Sequence, residues 1–283
     1  METKRIAVLM TVYNRKKITL NCLKRLYKQI IPTDCQIDVY ITDDGCTDGT
    51  PEAIKRLFPQ VSIINGNGKL FWNHGMIKAW EAAVEKYDYD FYLWLNDDTE
   101  LYEDSINRLI DNSIKCRHEA LLVGTTRSSK DETKYTYGGR YCNKPIISPS
   151  DTDFISCDEI NGNVVLIPKY IYNKIGMNDP AFFHSRGDFD YSLRAREYGL
   201  NVFVSPGLYG ICDRHDFSYK WFDPKYSIKQ RLKLYFSKYG FYARHEFLFV
   251  WRHFGLLRAI IQYIKGIAHV LFPSLCNHIK SIC

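Results

Sequence analysis

Hydrophobic and polar residues alternate over the first 120 positions in blocks that predict strands and helices in turn. Apolar, β-branched runs predict strands at KRIAVLMTVYNR, IDVYITDDG, VSII and FYLWL. Between these runs, apolar residues recur at three- and four-residue spacing, which predicts amphipathic helices. This βαβα order is typical of a largely parallel sheet covered by helices, in which ligands bind beyond the carboxyl ends of the strands.

The alternation loosens after residue 120. Further strands are predicted at LLVGTT, YTYGG and NVVLIP. The segment DFDYSLRAREYG predicts a helix that ends at Gly199. Long amphipathic helical patterns then replace the alternation. We therefore expect an α/β domain over residues 1–216 and a helical appendage over residues 217–283.

Charge is distributed unevenly between these two parts. Residues 217–283 contain eleven Lys or Arg and two acidic residues, a net charge of +9, whereas residues 1–216 have a net charge of −3. This division predicts a nearly neutral body and a basic appendage that meets something anionic. Amphipathic helices with cationic flanks can lie in a membrane interface, pack on the protein itself or form a dimer contact. No known nucleic-acid-binding motif accompanies the basic residues, so we expect no nucleic-acid partner.

Composition favours a globular protein in a reducing compartment. The hydrophobic share of 46% suits a substantial core. The nine cysteines form no CxxC pair, which predicts reduced thiols rather than a disulfide framework or a zinc site. No secretory signal and no run of about 18 apolar residues is apparent, so we expect a cytoplasmic protein, with the basic appendage as a candidate contact to the inner face of the cell membrane.

Paired carboxylates follow two of the predicted strands. Asp43 and Asp44 end one strand, and Asp97 and Asp98 follow the strand FYLWL. If the strands are parallel, both pairs emerge at one edge of the sheet, where unpaired like charges repel. A turn explains either pair alone, whereas a divalent cation or the donors of a ligand would explain both. The nearby segment NGNGKLFWNHG predicts a glycine-rich loop, whose residues NGNG could allow the backbone to approach a diphosphate.

A resemblance to the family 2 glycosyltransferases with the GT-A fold rests on four motifs in this order: TVYNR, ITDDGCTDGT, LNDDTEL and FFHSRGDFDYSLRAREYG. It covers roughly residues 5–216 and implies a Rossmann-like, mostly parallel central sheet flanked by helices. The segment GKLFWNHGM is similar to a loop of bacterial members that build surface polysaccharides, including rhamnosyl- and galactofuranosyltransferase-like enzymes. The implied activity is inverting, metal-dependent transfer of a sugar from a UDP- or dTDP-linked donor to a hydroxyl of a glycan or lipid-linked acceptor.

The resemblance implies a nucleotide site beyond the first strands. The residues that would border the nucleotide are Thr11, Tyr13, Arg15, Asp43, Asp44, Lys69 and Asp97. Among them, Asp44, with Asp43 beside it, would take the place that contacts the pyrimidine base. Asp97 would lie near the ribose or the sugar.

The same resemblance implies a divalent metal, Mn²⁺ or Mg²⁺, at the segment 96–98. Asp98 would be the metal ligand, while Asn96 replaces the first aspartate of the motif and adds no charge. His215 matches a late histidine that some relatives use as a second metal ligand. A solvated loop histidine is the alternative for His215.

Asp188 falls on the position of the catalytic base in the family signature ED-x-D-aromatic-x-x-R. An inverting transfer needs a carboxylate within hydrogen-bond reach of the attacking hydroxyl. Gly187 replaces the first acidic residue of the signature, so Asp188 lacks that neighbour. The alternative for Asp188 is a helix N-cap, which the base role does not exclude. Asp190 and Arg194 are spaced for a structural ion pair.

Candidates for the donor or acceptor pocket are Trp72, His74, Gly162 and Asn163. Aromatic faces suit sugar rings and Gly162 allows close approach, while a core tryptophan and a simple turn are the alternatives at these positions. Two other classes of function stay open. A sugar-phosphate nucleotidyltransferase would carry an early glycine- and arginine-rich signature, which TVYNRKK lacks; a non-catalytic nucleotide-sugar-binding module would keep the acidic site without turnover.

Overall fold

The β-branched runs of the first hundred residues form the parallel half of a large central sheet. The computed structural model describes residues 3–214, 220–237 and 243–273. The chain divides into two compact units, Met1–Arg214 and His215–Cys283. The strands, all in the first unit, are β1 (Lys4–Val12), β2 (Cys35–Asp43), β3 (Ser62–Asn65), β4 (Phe91–Leu95), β5 (Glu100–Leu101), β6 (Ala120–Arg127), β7 (Tyr135–Tyr137), β8 (Gly139–Arg140), β9 (Ile155–Ser156), β10 (Glu159–Ile160), β11 (Val164–Pro168) and β12 (Asn201–Ile211).

Helices cover both faces of this sheet. They are α1 (Lys16–Leu26), α2 (Thr50–Leu57), α3 (Phe71–Lys86), α4 (Ser105–Lys115), α5 (Lys169–Ile175) and α6 (Gly187–Glu197). Alternate residues of β1 enter opposite cores, because successive side chains of a strand point to opposite faces. Val8 packs with residues of α1, α2 and α4, and Leu9 packs with residues of α3, α5 and α6.

The strand order is β3-β2-β1-β4-β11-β6-β12-β5. Strands β3, β2, β1 and β4 are parallel to one another, and β12 is parallel to β6. Strand β11 runs antiparallel between β4 and β6. The expectation of a mostly parallel α/β sheet flanked by helices is confirmed.

Two of the elements that differ from the sequence prediction are α3 and β12. Helix α3 begins at Phe71, within the segment that the sequence indicated as a glycine-rich loop. Strand β12 was not predicted, since it contains Pro206 and Gly207 and its pairing with β6 is irregular there. The end of α6 agrees with the prediction: Gly199 has φ +73°, and the N–H of Leu200 donates to the carbonyl of Ala195.

The second unit contains a short 3₁₀ helix (Lys220–Phe222) followed by α7 (Ile228–Phe236), α8 (Ala243–Phe254) and α9 (Leu256–Leu271). Its buried cluster joins Trp221, Tyr235, Ala243 and Val270. Helix α7 starts with a capping box between Ser227 and Gln230. Within the ranges given above, none of the helices combines the length and hydrophobicity that crossing a bilayer requires.

Candidate active site

The parallel register brings both carboxylate pairs to one edge of the sheet. Strand β1 lies between β2 and β4, and all three run in the same direction, so the residues that follow β2 and β4 emerge together. The two pairs nevertheless do not form one acidic cluster. Among the described residues, no group of three or more His, Cys, Asp or Glu side chains is arranged to hold a metal ion. Protein groups satisfy each pair separately, so repulsion between the pairs does not by itself require a metal.

Asp44 binds the backbone of the glycine-rich segment. Its Oδ1 accepts the N–H of Gly68 at 2.9 Å, and its Oδ2 accepts the N–H groups of Leu70 and Phe71 at 3.0 Å. The side chain is buried, and its donors include the first turn of α3. The carboxylate of Asp44, directly after β2, therefore caps the N-terminus of α3, where the helix dipole favours negative charge.

Arg15 joins the two carboxylates that follow β4. Its Nη1 lies 3.2 Å from Oδ1 of Asp97 and 2.9 Å from Oδ2 of Asp98. Asp97 also accepts the hydroxyl of Thr19 at 3.2 Å. Burial raises the pKa of Asp97 to about 6, and the charge of Asp98 adds to this rise, against the lowering effect of Arg15. The site thus keeps two adjacent carboxylates beside a single guanidinium.

The donor set at Asp98 fits a divalent metal that takes most of its ligands from a diphosphate. Asp98 offers a partly buried carboxylate, and the thiol of Cys212 donates to its Oδ1 at 3.5 Å. Mg²⁺ and similar hard cations are often held by one or two carboxylates plus substrate phosphates. This set does not fit a site built by protein ligands alone. His215 lies outside the described residues.

Trp72 connects the segment after β4 with the segment before β11. Its Nε1 donates to Oδ1 of Asn96 at 2.7 Å. Its ring lies against Gly162 so closely that a Cβ on that glycine would be 2.2 Å from Cζ2 of the indole. Trp72 also packs edge-on against the buried Trp94. The side chain therefore packs against the core and lies beside Asn96 and Gly162, while its place in a donor or acceptor pocket stays a prediction.

Asp188 lies in the first turn of α6 and not at the N-cap, which is Arg186. Its Oδ2 accepts the N–H of Gly162 at 3.1 Å, and its Oδ1 accepts the N–H of Phe189 at 3.0 Å. Burial raises the pKa of Asp188, while these two N–H groups and the nearby Arg140 act in the opposite direction. The predicted ion pair beside it is present, with 2.9 Å between Asp190 and Arg194.

Asn73 is a site residue that the sequence analysis missed. It is fully buried, and its Nδ2 donates to the carbonyls of Asp179 and Phe182 at 2.9 and 2.8 Å. A Cβ on Gly187 would lie 2.1 Å from its Oδ1. The acidic residue expected before Asp188 is therefore a glycine because Asn73 occupies the space. No pattern in the sequence indicated a role for Asn73, because it lies in the segment predicted as a glycine-rich loop.

The other predicted residues lie around this edge with different exposure. Tyr13 and Lys69 are exposed, and Thr11 packs against Gly75 of α3. The Nε2 of His74 is 2.8 Å from the carbonyl of Pro180, and its ring packs on Phe183.

Asn163 and Asp43 complete the predicted set. The carbonyl of Asn163 accepts the N–H of Asn96 at 3.1 Å, and its Nδ2 is 3.5 Å from the sulfur of Cys212. The Oδ1 of Asp43 accepts the N–H of Cys46 at 2.8 Å. The site therefore extends from the end of β2, past the segment after β4, to the start of α6.

A mostly parallel sheet with acidic side chains at the carboxyl ends of its strands is typical of the GT-A fold. This chain belongs to glycosyl transferase family 2, whose family model matches residues 7–179. The match confirms the family to which the four sequence motifs pointed. No curated protein matches the sequence significantly.

Solved structures of similar fold include complexes with UDP-GlcNAc and with GDP-Man. TarS of S. aureus superposes with a TM-score of 0.55 at 14% identity, over 89% of this chain and 44% of TarS, so this chain spans less than half of that protein. The 1–349 portion of TarS in complex with UDP-GlcNAc superposes with a TM-score of 0.55 at 13% identity, over 96% of this chain and 72% of the TarS portion. The mannosyltransferase PcManGT of Pyrobaculum calidifontis, in complex with GDP-Man and Mn²⁺, superposes with a TM-score of 0.57 at 12% identity. The superposition covers 96% of this chain and 74% of the mannosyltransferase chain.

Proposed function

We propose that this protein transfers a sugar from a UDP- or dTDP-linked donor to a hydroxyl of a glycan or lipid-linked acceptor, with inversion at the anomeric carbon. The observation that carries the proposal is the position of Asp188. Its carboxylate is held by the N–H of Gly162, and the same glycine packs on the tryptophan that binds Asn96. A candidate base is thereby fixed relative to the acidic segment on the donor side.

The donor would bind along the edge formed by β1, β2 and the segment after β4. The residues that we assign to it are Thr11, Tyr13, Arg15, Asp43, Lys69 and Asp97. Since three backbone N–H groups already occupy the carboxylate of Asp44, we assign Asp44 to shaping the loop that carries Lys69. Contact with the base then falls to Asp43, next to it in the chain.

We assign Asp98 to a divalent metal, Mn²⁺ or Mg²⁺, with His215 as a candidate second ligand. A bound metal would stabilise the negative charge that develops on the departing diphosphate. Support comes from the donor set at Asp98 and from the Mn²⁺ in the printed description of the mannosyltransferase complex. Arg15, which contacts both Asp97 and Asp98, is positioned to share the charge of the diphosphate.

Asp188 would act on the acceptor side. As the acceptor oxygen forms its bond to the anomeric carbon, its proton moves to the carboxylate of Asp188. The bond from that carbon to the diphosphate breaks, and its electron pair leaves with the nucleotide. A base must be ionised before it takes a proton, and a pKa raised by burial strengthens it as an acceptor. Trp72, with Gly162 and Asn163, would line the space between donor and base.

We further propose that the first unit is catalytic and that the basic second unit contacts the inner face of the membrane. Leu257 and Ile264 of α9 are 73% and 61% exposed, and the helix also presents Arg258 and Lys265. Interfacial helices combine such an apolar stripe with cationic flanks. The location would then be cytoplasmic, and the process surface polysaccharide biosynthesis with a lipid-linked or glycan acceptor.

A nucleotide titration tests the donor side of this proposal. We expect UDP or dTDP to bind the full chain in the presence of Mn²⁺ more tightly than GDP does. Adding EDTA, or the substitution Asp98→Ala, should weaken this binding by about tenfold or more. Isothermal calorimetry gives the dissociation constants directly. No binding of any nucleotide in the presence of metal would contradict the proposal and favour a different use of the acidic edge.

A further inference from the structure

Two arginine side chains converge beside the proposed base. Arg140 comes from β8, and Arg186 is the N-cap of α6. Their guanidinium carbons lie 4.9 and 5.3 Å from the centre of the Phe189 ring, and Phe189 directly follows Asp188. A single aromatic ring therefore brings two cations to the acceptor side of the site.

Arg140 is held in place by a neutral partner. Its Nη2 donates to Oδ1 of Asn161 at 2.8 Å, and Asn161 precedes the glycine whose N–H binds Asp188. Across the described ranges, Arg140 has no carboxylate within ion-pair distance, and its Nε is buried without a hydrogen-bond partner. Burial lowers the pKa of Arg140, the charges of Asp188 and Glu159 raise it, and the charges of Arg214 and Arg186 lower it again. This concentration of positive charge costs free energy unless an anion offsets it.

Two carboxylates lie in the same neighbourhood. Glu159 is opposite Arg140 in the β8–β10 pair and is 4% exposed. Burial raises the pKa of Glu159, against the effects of Arg186 and Arg140. The charged groups that act on Arg140 include the carboxylates of Asp188 and Glu159 and the guanidinium groups of Arg214 and Arg186. When Asp188 takes a proton, one of these negative charges is lost, and an anion held at this place would then be stabilised most.

We propose that the acceptor carries an oxyanion, a phosphate ester or a carboxylate, next to the hydroxyl that is glycosylated, and that Arg140 and Arg186 bind this group. The guanidinium fork matches the geometry of phosphate and carboxylate oxygens. The inference rests on the proposed function, because it identifies the class of acceptor for that same site. It also gives a use to Arg140, a half-buried arginine whose Nε is buried without a hydrogen-bond partner among the described residues.

Ligand-observed NMR titrations on the full chain test this inference after the donor site has been saturated with UDP or dTDP and Mn²⁺. One pair of probes is glycerol 3-phosphate against glycerol, and the other is methyl glucuronide against methyl glucoside. We expect at least one anionic probe to bind about tenfold more tightly than its neutral partner, as a charge-assisted contact requires. The pair that shows the difference distinguishes a phosphate ester from a carboxylate.

Variants assign the binding to these arginines. We expect Arg140→Gln and Arg186→Gln each to raise the dissociation constant of the anionic probe about fivefold or more. The dissociation constant of the nucleotide should stay within about twofold of the wild-type value. Arg140→Lys, which keeps the charge, should recover part of the loss. Arg56→Gln, at an exposed position of α2, is the matched control and should leave probe binding unchanged.

The inference is overturned if neutral and anionic probes bind alike, or if Arg56→Gln weakens binding as much as the site variants do. It is also overturned if the site variants bind the probe like the wild-type protein. Failure of the nucleotide to bind is a different result, since it contradicts the proposed function itself. The unchanged nucleotide affinity of each variant shows that the fold is intact, so loss of probe binding cannot be attributed to unfolding.

Discussion

At the scale of single residues, Asp97 is a buried carboxylate whose ionisation lowers the stability of the fold. Its carboxylate is 5% exposed, adjoins Asp98, and shares one guanidinium with it. The pKa of about 6 lies above the ordinary value of an aspartate, so the folded protein holds a proton more tightly than the unfolded chain does. The cost of ionising Asp97 is present above pH 6 and is relieved as the pH falls through 6.

Asp97→Asn should therefore stabilise the ligand-free protein. At pH 7.5 with EDTA, we expect the free energy of unfolding to rise by about 1–3 kcal/mol, because the amide removes a buried charge and still accepts from Thr19. The difference should shrink towards pH 5, where the wild-type side chain is mostly protonated. Urea unfolding at both pH values measures it. A variant that is less stable than the wild type at pH 7.5 would contradict this account.

At the scale of elements, the start of α3 connects the two halves of the site. Trp72 from its first turn binds Asn96 and packs against Gly162, while Asn73 holds the loop that leads to α6. The position of Asp188 thus depends on close packing between a helix and a loop far apart in sequence. Cores resist added volume at such contacts.

Gly162→Ala tests this packing. The added methyl group overlaps the indole of Trp72, so we expect the free energy of unfolding to fall by about 1–3 kcal/mol. In a Trp72→Phe background the smaller ring makes room, and the same glycine substitution should cost less. A double-mutant cycle on urea unfolding gives the coupling between the two positions, which we expect to be about 1 kcal/mol or more. Strict additivity would show that the ring does not confine Gly162.

The same elements show what the sequence could and could not predict. Periodicity located β1, β2, β4 and α6, because local patterns determine them. The start of α3 could not be predicted locally, since its cap is the carboxylate of Asp44 from another strand. Strand β12 was missed because Pro206 and Gly207 interrupt its pattern, while pairing with β6 compensates.

For the site, motif spacing identified Asp188 and the Asn-Asp-Asp segment as candidates. The side chains that contact these candidates could not be predicted, because contacts such as that of Arg15 with Asp98 join residues 83 positions apart. The arginines beside Phe189 were missed for the same reason. Residues that define chemistry can be read from a motif, whereas the residues that hold them in place depend on tertiary packing.

At the scale of the whole molecule, the basic second unit carries an apolar surface of its own. Helix α9 is apolar on more than one side. Tyr263 and Val270 belong to the packed cluster of this unit, while Leu257, Ile260 and Ile264 are exposed at helical spacing. An exposed stripe of this kind beside Arg and Lys is typical of a helix in a membrane interface.

Vesicle co-sedimentation tests this surface. We expect the full chain to bind vesicles that contain anionic phosphatidylglycerol and to bind neutral phosphatidylcholine vesicles more weakly. Leu257→Glu with Ile264→Glu should reduce binding about tenfold or more, since burying each side chain is worth about 1.5–3 kcal/mol. Leu57→Glu with Ile114→Glu, at exposed positions of the first unit, is the matched control. Equal loss in both pairs would show that the effect is not specific to α9.

The proposed reaction is an inverting transfer in which Asp188 acts as the base. NMR of donor turnover tests it with the nucleotide sugar that binds best and with water as the acceptor. The first sugar released by the wild-type protein should have the anomeric configuration opposite to that of the donor. Asp188→Asn should slow release by about 10²–10⁴-fold at unchanged nucleotide affinity. Release with retained configuration, or an undiminished rate in Asp188→Asn, would contradict the account.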